Sequence, residues 1–110
     1  MIATLRTGLV AATLLTLTVS ASAAIATSVG QVASLRIEGM AGFIGLSNSM
    51  ASSSTCGTRV WVDMNTALGR SVYATALMAY TLKQNVIVRA FEESQRIFGE
   101  CNLYDIYVYQ

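Results

Sequence analysis

The chain contains no histidine and no proline, only two cysteines and only one lysine, Lys83. Without histidine, a Ser-His-Asp or Cys-His centre is excluded, and so is any metal site that depends on imidazole. A hydrolase would then need a Ser-Lys pair or two cooperating carboxylates. Lys83 falls at the end of an expected helix with no serine beside it, and Asp63 and Asp105 sit on different expected strands with no spacing that unites them. The sequence therefore reads as non-catalytic and free of cofactors and metals. Cys56 and Cys101 lack the CxxC spacing of a redox pair. The absence of proline leaves every strand able to donate along its hydrogen-bond ladder.

Long apolar runs are also missing. The longest, Gly8 to Val19, is interrupted by Thr13, Thr16 and Thr18 and falls short of the ~20 residues that span a bilayer. It follows Arg6 and precedes Ala21-Ser22-Ala23, a small-x-small site of the kind signal peptidase cuts. Residues 1–23 are thus expected to be a cleaved signal peptide, and residues 24–110 one small β-rich domain, secreted or periplasmic, with no membrane span after cleavage. That domain holds Arg36, Arg59, Arg70, Lys83, Arg89 and Arg96 against Glu38, Asp63, Glu92, Glu93, Glu100 and Asp105. Its formal charge is zero, so nothing in it attracts nucleic acid.

An even cysteine count in an oxidising compartment is most simply a disulfide, Cys56–Cys101. Closing a loop of that length restricts the unfolded chain and is worth about 3–4 kcal/mol. A domain this small has a marginal core, so such a staple or self-association would help it.

What is present is strand alternation with one helical interruption. In Val32–Glu38, Ala33, Leu35 and Ile37 alternate with Ser34, Arg36 and Glu38. Gly39-Met40-Ala41-Gly42 turns the chain into a second strand, Phe43–Ser47, which makes a hairpin. Asn48–Gly57 is small and polar and reads as a surface loop. Thr58–Met64 alternates most cleanly, with Val60, Val62 and Met64 on one face and Arg59, Trp61 and Asp63 on the other.

The stretch Asn65–Phe91 reads as an amphipathic helix leading into a buried strand. Gly69, Val72, Tyr73, Ala76, Leu77 and Tyr80 recur at helical spacing and should face the core, while Arg70, Ser71, Thr75 and Thr81 fall away from it. Asn65 or Thr66 can cap the start, and Asn85 can take the left-handed conformation that ends a helix. In the strand that follows, Val86, Val88 and Ala90 point inward. Glu92–Glu100 reads as a charged, solvated loop. Leu103–Gln110 is the last strand, with Tyr104, Ile106 and Val108 on one face and Asp105, Tyr107 and Tyr109 on the other.

The order β-β-β-α-β-β is that of an OB-fold-like small barrel, whose helix plugs one end. An open five-stranded antiparallel sheet with one packed helix has the same order. With its leader, a cysteine in a Ser-rich loop, Tyr73 to Leu77 as Tyr-Ala-x-Ala-Leu, the strand Asn85-Val-Ile-Val and a late cysteine, the chain resembles small secreted proteins of Gram-negative bacteria. More distantly it resembles the OB-fold B subunits of AB-type toxins of the subtilase-cytotoxin and pertussis-like kind. The toxin resemblance implies ring assembly and glycan binding.

Trp61, Tyr107 and Tyr109 fall on outward strand faces, and such amphipathic rings suit sugars and protein partners. They are the candidate ligand or partner surface, with Trp61 expected to be uncovered and Tyr107 and Tyr109 near it. The expected function is a secreted or periplasmic binding module for a glycan or protein, able to self-associate. The alternative is a structural or interaction protein of the cell envelope with no small-molecule ligand.

Overall fold

A computed structural model describes residues 25–51 and 55–110. The expected signal peptide and its cleavage site lie outside the described residues, as do positions 52–54 of the Ser-rich loop. The elements follow in the expected order: β1 Ile25–Glu38, β2 Ala41–Leu46, β3 Arg59–Asp63, α1 Ala67–Leu82, β4 Asn85–Phe91 and β5 Cys101–Tyr109.

Each strand has two neighbours, so the sheet closes in the order β1-β2-β3-β5-β4. Four of the pairings are antiparallel. The closing seam between β3 and β5 is parallel and short, joining Val60 to Cys101 and Trp61 to Asn102. The sheet is therefore mixed, not wholly antiparallel. The β1–β2 hairpin turns at Gly39, whose φ of 59° belongs to the left-handed region that glycine enters without a Cβ clash.

Two irregularities reset the alternation read from the sequence. The β1–β2 register shifts between Val32 and Ser34, so Val32 is buried while Ala33 is exposed; Ile37, close to the hairpin turn, is exposed as well. Arg89 pairs with Asp105 but Ala90 pairs with Leu103, which leaves Tyr104 as an extra residue in β5. Such a bulge re-aims the side chains on either side of it. Leu103 turns inward, Ile106 and Val108 pack on the core, and Tyr104 leaves the face on which the alternation had placed it.

The barrel interior is built from Ala26, Val32, Ile44, Val60, Val86 and Val88, with Ser28 buried among them and hydrogen bonded to the Asn48 carbonyl at 2.8 Å. Cys56 and Cys101 are bonded to each other, as expected, and both are buried. The bond anchors the β2–β3 loop to the start of β5, beside the short seam.

Helix α1 closes one end of the barrel and touches β1, β2, β3 and β5. Thr66 caps it by accepting a hydrogen bond from the Gly69 N–H at 2.9 Å. Its end is made by Lys83 at φ 52°, not by Asn85, which already belongs to β4. The Gln84 N–H reaches back to the Ala79 carbonyl at 2.9 Å and completes the stop.

The buried helix face consists of Gly69, Ala76 and Ala79, with Val72 and Tyr73 packed at its margin. Leu77 and Tyr80, expected inside, are 49% and 46% exposed. Small residues let the helix axis approach the barrel mouth, and larger side chains are turned to the flanks. A Cβ on Gly69 would collide with the Asp63 carbonyl oxygen. Gly69→Ala should therefore push the first helical turn off β3 and cost about 1–3 kcal/mol, read as a lower urea midpoint at constant slope.

Candidate functional site

The loop between β4 and β5 determines where a ligand can sit. Glu93, Gln95 and Phe98 stand in solvent, as its charges suggested, but the rest of the loop is tied back to the barrel. Arg96 turns back into the loop and donates to the carbonyls of Glu92 at 2.8 Å and Gly99 at 3.1 Å, and also to the Thr55 carbonyl at 3.0 Å. Glu100 is buried and ion-paired with Arg59. Held in this way, the loop lays Ile97 against Trp61, Phe43 and Ala41, and the Phe98 ring lies 5.7 Å from that of Phe43.

Trp61 is consequently covered, with 8% of its surface exposed, although it is on the outer face of the barrel. Its indole N–H donates to the Gln95 carbonyl at 3.0 Å. This corrects the expectation of an open tryptophan. The clue in the sequence was Ile97, an apolar residue within a charged loop that needed a place to pack, whereas its neighbour Phe98 is 68% exposed.

Two depressions of about 370 Å³ each lie on either side of this tryptophan, and both are lined by Trp61, Asp63 and Gln95. One extends between the helix start and β5, over Thr66, Leu68, Val72, Ser94, Asn102 and Tyr104. The other extends towards the hairpin turn, over Met40, Asn65, Ile97 and Phe98. Ser94 is already engaged, donating to Phe91 and accepting from the Asn102 N–H. The Asp63 carboxylate accepts a hydrogen bond from the Asn65 N–H at 2.9 Å through Oδ1. Among the described residues, the side-chain amides of Gln95 and Asn102 form no hydrogen bond. The groove thus combines aromatic and aliphatic walls with amide and carboxylate groups available to a ligand.

Tyr107 and Tyr109 are elsewhere. They occupy the far half of β5, beside Ile87 and Asn85 of β4, whereas Trp61 meets β5 at Asn102. The two tyrosine rings stack on each other with centroids 6.2 Å apart. Tyr107 is 62% exposed. The three candidate aromatics therefore belong to two surfaces, with Tyr104 between them.

On the second surface Arg89 and Asp105 form a two-pronged ion pair, with Nε donating to Oδ1 at 2.8 Å and Nη2 to Oδ2. That hydrogen bonding pushes the Arg89 guanidinium further up from its ordinary pKa. The same guanidinium lies 5.0 Å from the centre of the Tyr104 ring, and Tyr104 meets Phe91 edge-on at 4.8 Å. Asp105 is thus engaged with Arg89 and is not teamed with Asp63. Among the described residues no group of three or more His, Cys, Asp or Glu side chains converges as a metal site, and no helix is long and apolar enough to cross a membrane.

No protein-family model, curated protein or solved structure matches the chain.

Proposed function

We propose that the protein is a non-catalytic binding module of OB-fold-like architecture, secreted or periplasmic, which takes a glycan in the groove beside Trp61. One observation carries this reading: the side chains of Asp63, Gln95 and Asn102 converge in one groove with the exposed Tyr104 ring and Leu68, beside the covered Trp61. Sugar rings present apolar faces and hydroxyl rims, and that mixture of surfaces satisfies both. The disulfide supports a site of action in an oxidising compartment.

A glycan array probed with the exported protein tests this, followed by titration of the best hit. Asn102→Ala should weaken capture roughly 10-fold, the effect of losing one hydrogen bond of about 1.4 kcal/mol, with an unchanged melting temperature. No captured glycan, or an affinity indifferent to Asn102, would remove the proposal. A specific observation favours the envelope-protein alternative: the outer face of β1, β4 and β5 is rich in uncovered apolar side chains.

A further inference from the structure

The registers of β1, β4 and β5 place their outward residues in four rows across three strands. They are Gln31-Asn85-Tyr109, Val29-Ile87-Tyr107, Thr27-Arg89-Asp105, and Ile25-Phe91 with Asn102, where the bulge brings Tyr104 alongside. Val29, Tyr107, Ile25 and Tyr104 are 50%, 62%, 40% and 43% exposed. Strand and row spacings make this a face of roughly 15 by 20 Å. Apolar and polar rows alternate across it, the mixed character of a non-obligate interface.

The face contains one cation and one anion, Arg89 and Asp105, side by side on neighbouring strands. Both are partly exposed, at 44% and 41% of their side chains. The patch is therefore neutral, offering no net attraction to an acidic or a basic partner. It is also complementary to itself. A two-fold axis running parallel to the strands, midway between β4 and β5, lays Arg89 of one copy over Asp105 of the other. The same operation lays Tyr107 over Ile87 and Tyr109 over Asn85. An isologous contact of this type repeats each favourable pairing twice.

We propose that the outer face of β4 and β5, flanked by β1, is the contact surface between two copies of this chain in a two-fold dimer. The face shares only Asn102 and Tyr104, at its edge, with the groove of the glycan reading, whereas Tyr107, Arg89 and Asp105, on which the tests below act, lie outside that groove, so either reading can fail alone. The area is below the ~800 Å² per partner of a standard interface, so the dimer should form with rising concentration and not be permanent.

Sedimentation velocity on the exported protein, over a concentration series, is the first test. The mass should double along the series, and Tyr107→Glu should hold it at the monomer value with an unchanged melting temperature, since Tyr107 stands in solvent. Charge variants then test the geometry. Arg89→Asp alone and Asp105→Arg alone each place like charges across the axis, and each should remain monomeric. Mixed in equal amounts, a chain with carboxylates at both positions meets a chain with guanidinium groups at both. Opposite charges then face each other at both contacts, and dimers should reappear. A monomer at all concentrations, an assembly with an odd number of copies, a dimer that survives Tyr107→Glu, or a mixture that stays monomeric would each overturn the proposal.

Discussion

Ala76→Asp is expected to prevent folding, whereas Leu77→Asp, one residue along the same helix, should fold with nearly the parent melting temperature. Ala76 has no exposed surface and packs in the barrel core, while Leu77 is half exposed. An aspartate at position 76 would be an unpaired carboxylate in a site sized for a methyl group, combining the cost of a buried charge with that of overpacking. Removing one partner from a buried pair costs about 3–5 kcal/mol, and an aspartate that never had a partner should cost at least as much. That is most of what a domain of this size has available. At position 77 the carboxylate stays in water. Circular dichroism melts of the two variants give the comparison, and equal stabilities would mean that the phase of α1 on the barrel is wrong.

The joint replacement Cys56→Ser and Cys101→Ser is the second large effect. The bond spans 45 positions and joins two buried residues beside the shortest seam of the barrel. The loop-closure argument puts its value at about 3–4 kcal/mol. For a domain of this length each kcal/mol moves the midpoint by about 4–8 °C, so the loss should lower it by roughly 15–30 °C. The β3–β5 seam should respond first. It has only two registered pairs, and Cys101 is in one of them. Hydrogen exchange at Trp61 and Asn102 should accordingly rise more than at Val88 in the centre of β4. Uniform acceleration would show that the bond acts only on the unfolded chain.

The sequence by itself determined the class of this fold, because each element carries its own periodicity. Val60 and Val62 alternate against Arg59 and Trp61, Val86, Val88 and Ala90 against their neighbours, and the helix between them is bounded by Thr66. These are local properties of a few consecutive residues, and side-chain direction follows from them wherever the backbone is regular. The pairing of the only two cysteines needed only their even count and the absence of CxxC spacing.

Tertiary structure decided the rest. The bulges at Ala33 and Tyr104 interrupt the alternation, and a bulge exists only relative to a partner strand. Ala76 and Ala79 face inward in preference to Leu77 because the helix must approach a barrel mouth whose width no local pattern encodes. Trp61 does point away from the barrel interior, as its strand position required. Whether an outward side chain meets water depends on what the distant chain places over it. Here Arg96 directs its donors to backbone carbonyls of its own loop and of Thr55, and that non-local clamp lays Ile97 on the tryptophan. The same closure separates Trp61 from Tyr107 and Tyr109, since the parallel seam sets β3 against the beginning of β5 and leaves the tyrosines at its end.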